Sequence, residues 1–286
     1  MIRSFFRQEP CVEYPDAVQV ETTNRCNGKC VFCPHPRMKR PLMDMPDDVF
    51  AKVIHDVKEL KVKAIQPFVN GEPFMDRNLF ERLLLINREL PGVKIVMYTN
   101  GALLTAEKLQ KLAAIKDIDV MNFSLNGIDA ADYHERVGLN FEKTVANIRE
   151  FLRLNRELNF VREVCVASVE PGKGSKAQDK VYNDAFTRFC HANFPGAQVK
   201  IGYKYNWLSR VVSLRRFRNI FCPRLKAIIV LANGLVSLCC MDMEGEFILG
   251  NARERSLLEI YNGVLAREYR HHRKAHMVPC RTCNMI

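Results

Sequence analysis

The sequence predicts an α/β fold, a partial (β/α)6 barrel followed by a small cysteine-rich extension. Three observations carry this reading. From about residue 17 to residue 207, short β-like runs alternate with amphipathic helical runs, the pattern of βα units around a parallel sheet. Cysteines and Asn-Gly pairs follow the β-like runs, at the strand ends where function gathers in parallel sheets. After Phe221 the alternation stops and a second set of cysteines begins.

The expected strands span residues 17–22, 64–69, 94–99, 120–125, 162–169 and 198–205. Between them lie apolar stripes at helical spacing. One carries Val49, Val53, Ile54, Val57 and Leu60, with Pro46 suited to its first turn. A second carries Phe141, Val145, Ile148 and Leu152, and a third Val181, Ala185, Phe186 and Phe189. Such stripes pack against a sheet, and six units make a barrel open at one side. The stretch 171–180 is rich in Gly and Lys but lacks the full phosphate-loop pattern, so it reads as a flexible connection. Beyond it, residues 228–232 and 235–238 flank Asn233-Gly234 as a hairpin, and a helix is expected over 256–269.

The 286 residues are 48% apolar, ample for a large core, and a chain of this size buries about 75% of its unfolded surface. Residues 1–10 are charged and carry no long apolar run, so no secretory signal is expected. No stretch approaches the roughly 20 apolar residues of a membrane span. A cytoplasmic chain with no membrane partner follows. Eleven cysteines then argue for metal or redox chemistry rather than disulfides. The net charge of +11 would suit nucleic acid or acidic substrates. Its Lys and Arg are nevertheless spread along helices, with denser runs only around Arg210, Arg215, Arg216 and Arg218 and over residues 270–274. No nucleic-acid module accompanies them, so nucleic acid is not an expected partner.

Cys26, Cys30 and Cys33 form a C-x3-C-x2-C loop directly after the first strand. Four thiolates saturate an iron–sulfur cubane, so three leave one iron open to a substrate or cosubstrate. A three-cysteine zinc site and three unrelated buried thiols are the alternatives. The next strands end in Asn70-Gly71-Glu72-Pro73, Asn100-Gly101 and Asn126-Gly127. Each glycine alone reads as a turn former, but their repetition at one rim marks a site.

With Phe32 immediately before the third cysteine, this loop resembles the cluster-binding signature of radical S-adenosylmethionine (radical SAM) enzymes. The resemblance implies a TIM-like partial barrel, a 4Fe–4S cluster on Cys26, Cys30 and Cys33, and S-adenosylmethionine chelated at the open iron. It also implies a reducing partner such as flavodoxin or ferredoxin. The Asn70-Gly71-Glu72-Pro73 segment is similar to the family's Gly-Gly-Glu-Pro motif, with Asn70 in place of the first glycine. Glu72 is left to accept from the cosubstrate ammonium. By the same resemblance Thr99, Asn100, Ser124, Asn126 and Ser168 sit where family members touch the cosubstrate. Arg136 pairs with its carboxylate or is an ordinary helix charge.

The later cysteines resemble the SPASM/twitch extensions of the same family. Cys222, one of Cys239 or Cys240, Cys280 and Cys283 would hold one auxiliary 4Fe–4S cluster, and only three residues follow Cys283. Cys239 is preferred because Gly234 precedes it by the family's usual interval, and Cys240 stays open. A four-cysteine zinc knuckle is the bland alternative. The expected division is a lead-in (1–14), the radical SAM barrel (15–212) and the auxiliary domain (213–286).

Size and cysteine layout resemble the 2-deoxy-scyllo-inosamine dehydrogenase-like members. That implies oxidation of a secondary alcohol of a small sugar- or cyclitol-like substrate, with the auxiliary cluster accepting an electron. Glu170 and Tyr205, with Tyr203 and Trp207, are the pocket candidates. Radical epimerisation is an alternative, with a thiol such as Cys165, Cys190, Cys11 or the unused one of Cys239 and Cys240 returning a hydrogen atom. Modification of a ribosomal peptide is another, which leaves a peptide substrate open. A metal-dependent RNA-binding protein is the non-enzymatic alternative.

Overall fold

The computed structural model describes residues 11–172, 176–213, 222–271 and 278–284. Six parallel strands, β1 (Ala17–Val20), β2 (Ala64–Gln66), β3 (Lys94–Thr99), β4 (Ile118–Ser124), β5 (Val161–Val169) and β6 (Gln198–Gly202), pair in sequence order. The helices α1 (Asp47–Val57), α2 (Leu79–Glu89), α3 (Ala106–Ala113), α4 (Ala130–Val137), α5 (Phe141–Leu158) and α6 (Lys176–Asn193) fill the crossovers. The result is the open partial barrel the alternation implied. Strands β1, β2 and β6 stop two to three residues earlier than expected. Their last residues belong to the irregular rim that builds the site.

Local chemistry fixes the helix ends. The Thr105, Asp129 and Asn140 side chains cap α3, α4 and α5 by accepting from the backbone N–H groups of Lys108, Asp132 and Lys143. Gly138 ends α4 in the left-handed conformation at φ 73°. On α6 the expected stripe is shifted. Val181 is 70% exposed, while Phe186 and Cys190 are buried and Tyr182 packs against the core. The helix already begins at Lys176, and Asp179 accepts from the Gly172 N–H, so the connection before it is shorter than expected. Residues 173–175 of it lie outside the described residues, as do 214–221 and 272–277, which take in Arg215, Arg216, Arg218 and the end of the second basic run.

The extension contributes β7 (Ala227–Val230), β8 (Leu235–Ser237) and β9 (Ile248–Asn251), then α7 (Leu257–Tyr261) and α8 (Val264–His271). The single helix expected over 256–269 is two. A Ser256–Glu259 capping box starts α7, and a bend at Asn262-Gly263 separates it from α8. The hairpin forms as expected but does not stand apart. Strand β7 pairs in parallel with β1, Ala17 opposite Ala227 through Val20 opposite Val230, so among the described residues one nine-stranded sheet runs β6-β5-β4-β3-β2-β1-β7-β8-β9.

Glu21, fully buried just after β1, locks this junction. Both its oxygens receive the Arg40 guanidinium at 2.9 Å, and they also accept from Asn70 Nδ2 and the Ala232 N–H. Arg40 in turn donates to the Met243 carbonyl. One carboxylate therefore joins the first loop, the second rim loop and the extension. Among the described residues no helix is long and apolar enough to cross a membrane.

Candidate active site

A cavity of about 480 Å³ opens at the C-terminal ends of the strands. Cys26, Cys30 and Cys33 line it together. A Cβ placed on Gly28 would stand 3.5 Å from Cys30 Sγ and 3.8 Å from Cys26 Sγ, so these two sulfurs gather on the glycine's open side. Two backbone bonds clamp the loop onto the end of α4, Lys29 N–H to Val137 O and Val31 N–H to Arg136 O. Burial pushes the Cys26 thiol up to about 12 and the Cys33 thiol to about 11, and raises Cys30 further, aided by its neighbouring thiols. Among the described residues no three His, Cys, Asp or Glu side chains converge closely enough for a single metal ion. The donor set suits a cluster instead, whose thiolates each reach a different iron and whose positive charge offsets what burial penalises.

The second and third rim loops are tied to the first through Glu72. Its carboxylate accepts from Thr99 Oγ1 at 2.7 Å, the Asn100 N–H at 2.8 Å and the Phe74 N–H at 3.3 Å. Burial raises its pKa against these bonds. Three of roughly four acceptor positions are thus used internally, leaving one toward the cavity. Gly71 is required by close approach rather than by a turn, since a Cβ there would lie 2.3 Å from the Thr23 carbonyl oxygen. Asn70 spends its amide on Glu21, which gives the residue at this position a structural task. Asn100 reaches across to Asn27 in the cysteine loop, Nδ2 to Oδ1 at 2.8 Å.

Asn126 sits in the left-handed region at φ 57° and joins β4 to β5, its Oδ1 accepting from the Val169 N–H and its own N–H donating to Ala167 O. Arg136 is buried between the rings of Phe32 and Tyr182. It donates to the Asn126 carbonyl at 2.8 Å and to the Val169 carbonyl. It is neither a solvated charge nor a cavity-lining group; its fork is used on backbone.

Of the expected residues, Phe32, Asn70, Gly71, Glu72, Thr99, Asn100, Ser124, Asn126, Ser168 and Tyr205 line the cavity with the three cysteines, as do Tyr203 and Trp207. Pro73, Arg136, Glu170 and Cys165 do not. Glu170 is buried beside the β6 end, its N–H donating to Gly202 O. Cys165 is buried in β5, with its thiol 3.1 Å from Glu163 Oε1.

In the extension Cys239 lies close enough to feel the charges of Cys240, Cys280 and Cys283. Cys240 feels Arg224, Cys222 and Cys283. Five thiols therefore share one neighbourhood, and burial is the largest influence on both members of the pair, raising both. Asp242 shapes their loop by accepting from Ser237 Oγ and the N–H groups of Glu246 and Phe247.

Several residues of the candidate site and its supports carried no motif. Trp207 Nε1 donates to the Phe32 carbonyl at 3.1 Å, while the adjoining Asn206 bonds Thr282 O and Asn284, on either side of Cys283. This segment links the two cysteine sites. Lys200, Asn122 and Arg224 also face the cavity. For Glu21 the one available signal was a carboxylate directly after an apolar strand.

Comparison with known proteins gives three kinds of finding. The family model of the Radical SAM superfamily matches residues 20–169, and that of SPASM, an iron–sulfur cluster-binding domain, matches residues 222–284. The S-adenosyl-L-methionine-dependent 2-deoxy-scyllo-inosamine dehydrogenase of Niallia circulans is 27% identical over 100 residues, 34% of this chain and 40% of that protein. Matched stretches span only 42% of the length of the first curated relatives. The structure of BtrN in complex with AdoMet and 2-DOIA superposes with a TM-score of 0.64 at 16% identity, covering 96% of this chain and 95% of that one. Streptococcus suis SuiB bound to the precursor peptide SuiA gives 0.71 at 15% identity, covering 95% and 70%. At these identities the two structures speak to fold alone.

Proposed function

The chain belongs to the radical SAM superfamily, and from that premise we propose that it is an oxidoreductase acting on a small molecule held between its two cysteine sites. Radical SAM and SPASM domains bring S-adenosylmethionine and 4Fe–4S clusters as cofactors. When bound, the first cluster and cosubstrate supply a hydrogen-abstracting radical, and the auxiliary cluster supplies an acceptor for the remaining electron.

The protein's own part is positioning, which dominates where a radical attacks whichever C–H bond is held near it. Cys26, Cys30 and Cys33 are the proposed holders of the first cluster. Glu72, Asn100, Ser124, Asn126 and Ser168 shape the cosubstrate wall, with Asn70 and Arg136 fixing the rim behind them. Cys222, Cys239 or Cys240, Cys280 and Cys283 are the proposed auxiliary set. Tyr205 lines the cavity close to Arg224 and is the candidate to relay the hydroxyl proton, accepting it as its own phenol proton passes to solvent. The observation that carries the reading is one cavity bounded by the first cysteine loop and by Arg224, a neighbour of Cys222 and Cys240.

A secondary alcohol of a sugar- or cyclitol-like molecule is the substrate this reading favours, with the Niallia circulans relative as support. Anaerobic turnover with S-adenosylmethionine and a reductant, flavodoxin or dithionite, is expected to yield a product two mass units lighter with a new carbonyl. An isobaric product carrying solvent deuterium would sink the dehydrogenase in favour of the epimerase. A relative, the PqqA peptide cyclase of Bradyrhizobium diazoefficiens, is 32% identical over 100 residues, 35% of this chain and 26% of that protein, and supports a second reading, peptide modification, in which a peptide rather than a small molecule changes mass.

A further inference from the structure

We propose that Arg224 anchors an anionic group of the substrate, so that the molecule taken into the cavity is acidic, carrying a carboxylate or a phosphate. This rests on the reading of the cavity as a small-molecule radical site.

Arg224 lies on the short 3-10 turn Pro223–Lys226 and lines the cavity. The neighbouring charges are already committed. Lys200 is held by Glu163 at 2.9 Å. Arg136 is used on the carbonyls of Asn126 and Val169. His35 Nε2 is 2.7 Å from the Asn24 carbonyl, and three of Glu72's acceptor positions are filled by its donors. Among the described residues no carboxylate lies in ion-pair reach of Arg224. The ionisable groups whose charges act on it most are Cys240, Tyr205, Tyr98 and Cys222, two thiols and two phenols.

A guanidinium presents a planar fork that matches a carboxylate or phosphate in two parallel hydrogen bonds, which an ammonium cannot do. Beside it Tyr98 stacks on Phe68 with ring centroids 5.6 Å apart, a flat face for the body of a ring-shaped molecule. The chain's +11 charge would draw an anion toward this opening. The competing role is counter-charge to the auxiliary thiolates, since Cys222 and Cys240 are neighbours. The two roles differ in what removal of the guanidinium does to iron content.

The test uses the full chain with both clusters reconstituted, titrated calorimetrically with phenyl phosphate, benzoate and the neutral control benzyl alcohol. The wild type is expected to bind at least one anion tenfold or more tightly than benzyl alcohol, and which anion wins distinguishes phosphate from carboxylate. Arg224→Gln is expected to lose that preference while keeping its iron. Equal binding of all three probes by the wild type, or an anion preference unchanged in Arg224→Gln, would overturn the proposal. So would loss of about four irons in Arg224→Gln with the preference intact, which would assign the residue to the cluster. Cleavage of S-adenosylmethionine by the same wild-type preparation reports separately on the radical reading. Its absence would sink that reading, whereas cleavage without anion preference would sink only the role of Arg224.

Discussion

Cys26, Cys30 and Cys33 sit on one loop between β1 and α1, whereas the later cysteines arrive from three segments between residues 222 and 283. The first set needs only its loop and the surfaces that clamp it, Gly71, Asn100, the end of α4 and Trp207. The second set exists only once β7 has joined β1, Asp242 has shaped the turn after Cys239-Cys240, and Asn206 has drawn in the segment around Cys283. It also offers five thiols for four places. A site made of neighbours in sequence is specified by spacing, and one made of distant segments is specified by the fold.

Removing the local site should have the largest effect. Replacing Cys26, Cys30 and Cys33 by Ala is expected to leave about four irons per chain, on the extension, and to abolish cleavage of S-adenosylmethionine. Iron analysis and chromatography of 5′-deoxyadenosine check both parts. Retained cleavage in the triple variant would erase the distinction between the two sites. At the composite site, Cys239→Ala and Cys240→Ala are expected to behave unequally. One should lose about four irons and the other keep them, naming the ligand and freeing the remaining thiol. Equal, partial losses in both would show that the pair shares the role.

The junction between the regions should be sensitive to Glu21. Glu21→Gln leaves the Arg40 guanidinium buried without its counter-charge, which costs about 3–5 kcal/mol. The midpoint of denaturant unfolding is expected to fall accordingly, with iron lost from the extension before the first loop. A change below about 1 kcal/mol would mean that the sheet alone holds the two regions together.

The smallest effect lies at the outer edge of the extension. Glu13 accepts from Arg270 Nε and His271 Nε2 and pairs with Arg267. Burial raises its pKa, but the hydrogen bonds from His271 and Arg270 outweigh it and leave the carboxyl below the ordinary 4.5. Its stabilisation is therefore complete above that value and is lost as pH falls through the depressed folded-state value. Glu13→Gln is expected to cost about 1 kcal/mol or less at pH 7 and progressively less in acid. A deficit that grows toward acid pH would contradict this sign.

The same contrast explains what could be read from the chain. The Cys26–Cys33 spacing, the rim Asn-Gly pairs and the alternation of strands and helices are local patterns, and the barrel and its cavity followed from them. What stayed hidden is what a distant partner decides. Arg136 looked like a surface or cosubstrate charge because its acceptors, Asn126 O just after β4 and Val169 O at the end of β5, are brought near only by the sheet. Asn70 looked like a departure from a motif until Glu21 supplied its partner. On α6 the choice between Val181 and Tyr182 as the buried position rests on a Tyr182 hydroxyl 3.0 Å from Ser168 Oγ on β5, which no helical period encodes. The merging of the extension hairpin into the barrel sheet is likewise a pairing of β7 with β1 across more than 200 residues.

The unequal roles of the two sites can be measured without knowing the substrate. Electron paramagnetic resonance of the reduced protein, titrated with S-adenosylmethionine, is recorded for two variants, one lacking Cys280 and Cys283 and one lacking Cys26, Cys30 and Cys33. The cosubstrate is expected to shift the signal of the first variant, whose remaining cluster has an open iron. The signal of the second variant is expected to stay unchanged. A shift in the variant that lacks Cys26, Cys30 and Cys33 would contradict the assignment of the cosubstrate to the first loop.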